Sequence, residues 1–169
     1  MKHSEIGSRP TLSGKDRMTQ ALLAHVRPTH FITLSLCQAR QIQGEHHGYT
    51  WLQGDDTIYS NVHLSFMRSL SKRLTPRVAW DRYQPMLPST CAVEGGKHGV
   101  RNHLHLSIAK PYDVSEEDFR MAICCTAAGN PWIMNGEYAV DIKTVGDSTE
   151  AANATYYSIK HGLERILVS

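Results

Sequence analysis

No stretch of this 169-residue chain approaches the ~18 consecutive apolar residues of a membrane-spanning helix. The opening Met1-Lys2-His3-Ser4-Glu5 has no apolar core, so no secretory signal is expected. Cysteine is scarce. Cys37, Cys91, Cys124 and Cys125 have none of the spacings of a zinc site, and they read as reduced thiols in a cytoplasmic setting. There is no internal repeat and no low-complexity tract. A nucleotide-binding phosphate loop is also missing: Gly7 and Gly14-Lys15 are wrongly spaced, and Asp16 stands where Ser or Thr is required. Little net charge is present, +2 with a pI of about 8.4, which permits a nucleic-acid partner without indicating one.

What is present is enough apolar residue, 41%, to bury the core of a single domain. Residues 1–14 are polar and rich in Gly, Pro and Ser and are expected to form a flexible arm, leaving 15–169 as one domain. Lys15 to Val26 reads as a helix with Met18, Leu22 and Leu23 inward, ended by Pro28. Phe31 to Cys37 reads as a strand, and 40–54 as a long loop. Ile58, Val62, Phe66, Leu70 and Leu74 recur every four residues, which predicts a long amphipathic helix from near Asp55 to Pro76. Leu87 to Glu94 and Asn102 to Lys110 read as strands around a Gly-rich turn. Ser115 is placed to cap a helix that Gly129-Asn130-Pro131 ends. A strand over Tyr138 to Val145 precedes a last helix, capped by Ser148 or Thr149 and running to about Leu167. The order predicts an α+β fold with a mostly antiparallel sheet covered by helices.

The residues that carry chemistry sit on the second strand of the turn. Side chains alternate across a strand, so His103 and His105 share one face with Ser107, while Leu104, Leu106 and Ile108 face a core. Two imidazoles one strand repeat apart can hold one metal ion. Glu94, ending the preceding strand on a face with Thr90 and Ala92, would reach them if the two strands pair. Two histidines and a carboxylate with open positions suit a divalent ion that also binds substrate oxygen. His98, in the turn, is a rival ligand, and a strand with two satisfied histidines is the plainer alternative. Downstream, Ala152, Tyr156, Ile159, Leu163 and Ile166 form a stripe that reads as the buried face of the last helix. Tyr157 lies about 100° further round and shares its face with Lys160 and Glu164, so a phenol and an ammonium would be available to a phosphate. The plainer alternative is a solvated helix face. Lys97 and Arg101 flank the turn, and Arg68, Lys72, Arg73 and Arg77 form a basic stretch. Trp51, Trp80 and Trp132 are candidates for base stacking or for the core.

Taken in order, these parts resemble the HUH endonucleases, in particular the single-tyrosine nuclease domains of rolling-circle replication initiators (Rep). Phe31-Ile32-Thr33-Leu34 resembles the family's first motif, His103-Leu104-His105 its His-hydrophobic-His motif, and Tyr157-Ser158-Ile159-Lys160 its Tyr-x-x-Lys motif, with Glu94 at the place of the upstream ligand. The resemblance covers roughly 28–166. It implies a ferredoxin-like or RRM-like five-stranded sheet. It implies nicking and joining of single-stranded DNA at a replication origin, where a hairpin is one form of the target. Glu94, His103 and His105 would then hold Mg²⁺ or Mn²⁺, Tyr157 would attack the scissile phosphate, and Lys160 would position it. Thr33, Ser35, Lys97 and Arg101 would contact the DNA. A separate host helicase or polymerase would complete replication, in the cytoplasm or, for a eukaryotic virus, the nucleus. The doubled Tyr156-Tyr157 departs from the pattern.

Three other readings stay open. A single-tyrosine transposase or relaxase shares the same motifs. A metal-independent two-histidine phosphoesterase would use His63-Leu64-Ser65 and His105-Leu106-Ser107 in acid–base roles. A non-catalytic nucleic-acid-binding module would need exposed sheet aromatics, for which Phe31 is a candidate.

Overall fold

The periodicity around Phe66 is realised in α2, Asp56–Leu74, which buries Tyr59, Val62, Phe66, Met67 and Leu70 along one side. In the computed structural model, residues 13–41, 49–51, 56–95, 101–159 and 166–168 are described. The expected arm therefore falls outside the described residues up to position 12. The first described element is α1, Gly14–His25, closed by a capping box in which Ser13 and Asp16 satisfy each other's backbone N–H groups. Then come β1, His30–Ser35, and a short hairpin of β2, Ala39–Gln41, with β3, Tyr49–Trp51. That hairpin corrects the expectation of a loop over 40–54; three-residue strands are too short to show alternation.

After α2 comes α3, Arg77–Tyr83, which the sequence reading did not anticipate. Pro76 ends α2 and also precedes α3, because proline is tolerated at a helix start and not inside one. The sheet strands β4, Ser89–Glu94, and β5, His103–Ile108, form the expected hairpin, and α4, Glu116–Ala128, is capped by the Ser115 hydroxyl as anticipated. β6, Val140–Thr144, leads to α5, Ser148–Ile159. Asp147, not Ser148 or Thr149, caps α5, accepting from the N–H groups of Thr149 and Glu150 at 2.8 Å. α5 does not continue to Leu167: Ile166–Val168 is a strand, β7, paired with β4. The expected stripe fails with it. Tyr156 is 45% exposed, while Thr155 is buried.

Five strands form one antiparallel sheet in the order β6-β1-β5-β4-β7. The path β1-α2-β4-β5-α4-β6, with strands ordered fourth-first-third-second, is the split βαβ of a ferredoxin-like fold, extended at the β4 edge by β7. One face carries Ile32, Leu34, Cys91, Val93, Leu104, Leu106 and Ile108, and these pack with Phe66, Leu70, Phe119 and Ile123 of α2 and α4. The opposite face carries the histidines. α5 lies against β4 and β5 and against α1, and Thr90 and Ser107 are buried on that face. No helix among the described residues is long and apolar enough to cross a membrane.

Candidate active site on the histidine face

Strand pairing sets the site. Glu94 lies opposite His103, and His105 lies between Ala92 on β4 and Thr33 on β1. Alternation then brings Glu94, His103, His105, Thr33 and Phe31 to one side of the sheet, as the sequence predicted for the first three. His105 is 7% exposed and is held on three sides. Its Nε2 donates to Glu94 Oε2 at 2.6 Å. Its Nδ1 meets Thr33 Oγ1 at 3.1 Å. The Phe31 ring stacks on it at 5.6 Å, and the His103 ring stands 6.1 Å away. A carboxylate only accepts, so the Nε2 proton is committed to Glu94; the Thr33 hydroxyl can donate to or accept from Nδ1 and so suits either charge state of the ring. A hydrogen bond to a buried, partly desolvated ring is costly to lose. Thr33→Val is expected to lower unfolding free energy by about 1–3 kcal/mol in urea melts, with Thr33→Ser restoring most of it.

Two further features fix the hairpin end. Asn102 is buried just before His103; it accepts from Tyr59 Oη at 2.7 Å and donates to Gln38 at 2.9 Å. Gly95 follows Glu94 with φ +109°, and a Cβ there would sit 2.3 Å from the carbonyl oxygen of Arg101, so only glycine fits. Nothing in local sequence marked Asn102, Tyr59 or the Thr33 contact, since each joins residues far apart in the chain.

As to a metal, Glu94 and His105 close directly on each other, and no three His, Cys, Asp or Glu side chains among the described residues are arranged to enclose an ion. The donor types still suit a divalent cation: two imidazoles and one carboxylate on one face, with a cation taking the place of the shared Nε2 proton.

The other expected residues are distributed as follows. Tyr157 lies in α5, the helix against β4 and β5, but its side chain is outside the described residues. Lys160, Lys97 and His98 are outside them altogether. Arg101 is exposed beside the hairpin. Thr33 is engaged with His105, and Ser35 donates to the Tyr138 carbonyl at 2.9 Å, so both serve the fold in this state. Trp80 is 7% exposed and Trp132 packs on the core, which removes two of the three candidate stacking residues; the Trp51 side chain is outside the described residues. His63 is fully buried on α2, and its Nε2 meets Ser89 Oγ at 3.0 Å on the core face. It therefore lies across the sheet from His105, and the two cannot act on one phosphate as the two-histidine reading requires. Phe31 is half-buried, with its ring stacked on His105.

No protein-family model, curated protein or solved structure matches this chain.

Proposed function

We propose that this protein is a metal-dependent, site-specific endonuclease of single-stranded DNA that nicks and rejoins through a tyrosine, the step that starts rolling-circle replication. One observation carries the reading: Glu94, His103 and His105 share a sheet face, and the helix that contains Tyr157 lies against the same two strands. The order of motifs along the chain supports it.

In this reading Glu94, His103 and His105 hold a divalent cation, Mg²⁺ or Mn²⁺, whose contribution when bound is to polarise a phosphate oxygen. Tyr157 supplies the nucleophile. Its phenolic oxygen bonds to phosphorus as the bond from phosphorus to the 3′ oxygen breaks. The phenol proton is lost, and the departing 3′ oxygen takes one up. The products are a 5′-phosphotyrosine and a free 3′-OH, and attack by a 3′-OH reverses the step. Lys160 neutralises and positions the phosphate. Phe31 and Thr33 keep the His105 ring in place.

The test is covalent capture. Wild-type protein with Mn²⁺ and single-stranded origin oligonucleotides should give a protein–DNA adduct that survives a denaturing gel. A chelator present from the start should prevent the adduct from forming, and Mn²⁺ added in excess of the chelator should restore its formation. An adduct that forms equally well in excess chelator would overturn the metal requirement. If none forms on any origin strand, the tyrosine mechanism is wrong.

A further inference from the structure

The solvent sides of α2 and α3 form a second charged surface, across the sheet from the histidines. Because α2 buries Phe66, Met67, Leu70 and Ser71, Arg68 and Lys72 are left one turn apart on its outer side. Arg73, Arg77 and Arg82 are exposed as well. The only carboxylate between positions 66 and 84 is Asp81. It pairs with Arg77 at 3.6 Å, with both side chains mostly in water, so it offsets little of the charge. Arg73 shares a cleft with Asp113 and with Asp118 of α4, so the surface charge not offset by carboxylates rests on Arg68, Lys72, Arg77 and Arg82.

The two helices are tied into one surface. Arg68 Nη2 donates to Gln84 Oε1 at 3.0 Å, and Gln84 closes α3 in the left-handed region at φ 43°. That contact brings the end of α3 alongside α2. There the Arg82 guanidinium sits 5.8 Å over the ring of Tyr83, which is 70% exposed.

We propose that this face binds the sugar–phosphate backbone of duplex DNA. A duplex presents a dense, regular array of single negative charges, which the exposed Arg68, Lys72, Arg77 and Arg82, spread over two helices, can neutralise one by one. Ser69, Gln84 and Tyr83 add the hydrogen-bonding groups that usually accompany such contacts. A membrane surface fits less well: Val78, Tyr83 and Met86 are exposed beside the cations, but α3 has only seven residues and its Trp80 turns inward, so no continuous apolar helix face is offered to a bilayer. The proposal is independent of the nicking reading, since it uses none of the residues on the histidine face.

Fluorescence anisotropy with the full chain and a short mixed-sequence DNA duplex tests it. Wild-type affinity should fall as NaCl rises. Arg68→Glu with Lys72→Glu should bind at least ~10-fold more weakly, with a log–log salt slope shallower by about two. Arg82→Glu, on the other helix, should weaken binding in the same direction, while Arg68→Lys keeps it. A His103→Ala, His105→Ala variant should bind the duplex like wild type, which separates this claim from the endonuclease reading. Unchanged affinity and slope in both charge-reversal variants would overturn it. So would tighter binding to phosphatidylserine vesicles or to polyglutamate than to duplex at the same salt. Circular dichroism of each variant confirms that it is folded.

Discussion

Tyr157→Phe is expected to eliminate the covalent protein–DNA product while leaving affinity for the single-stranded oligonucleotide unchanged. Phenylalanine keeps the aromatic ring but has no oxygen to bond to phosphorus. Tyrosine is already a poor nucleophile at its free pKa of about 10 and depends on an electrophile or a nearby cation to react. The substitution removes the group that such help acts on. The neighbouring Tyr156 is the necessary control, because its side chain is 45% exposed and therefore available. Tyr156→Phe should retain the adduct. If Tyr156→Phe abolishes it and Tyr157→Phe does not, the nucleophile has been misassigned by one residue. Strand scission without any adduct would mean that water is the nucleophile. In the same assay His103→Ala with His105→Ala should lose the product, and Glu94→Ala should weaken it.

The second large effect concerns acid. His63 lies in the core between α2 and the sheet; its Nε2 meets Ser89 Oγ, and its Nδ1 has no hydrogen-bond partner among the described residues. Burial disfavours the imidazolium and lowers its pKa from 6.5 to about 4. The sign follows from proton counting. Below pH 6.5 the unfolded chain gains a proton that the folded protein refuses, so stability falls as pH drops from about 6.5 toward 4. A shift of this size corresponds to a loss of about 3 kcal/mol across that window. Glu116 adds a separate loss at lower pH. Its carboxylate is held below its usual range by hydrogen bonds from His30 and then Arg120, a stabilisation present when it is ionised and lost on protonation. Urea melts from pH 7 to pH 4 should show the early loss in wild type, and His63→Gln should flatten that part of the curve. An equally steep fall in His63→Gln would assign acid sensitivity to other groups.

Much of the fold was legible because two periods were clean. The four-residue spacing of Val62, Phe66 and Leu70 marked α2, and the alternation in His103–Ile108 by itself put both histidines on one face. Ser115 announced α4 by capping chemistry that is local to a few residues. The last helix was misread for an instructive reason. Continuing it to Leu167 drew Leu163 and Ile166 into one stripe with Tyr156; Ile166 belongs instead to β7, and the buried position on α5 is Thr155. β7 and the β2–β3 hairpin are three-residue segments, too short for a period to emerge.

The candidate site divides along the same line. Sequence alone determined which side chains project from each strand and to which face, because that follows from backbone geometry within a few residues. It also placed Glu94 across the turn from His103. Only the tertiary structure decided that β1 lies on the other side of β5, so that Phe31 and Thr33 enclose an imidazole that is 72 residues beyond Thr33, and that His63 belongs to the opposite side of the sheet. Which strands become neighbours depends on how whole faces are buried against helices, and no local pattern encodes that choice.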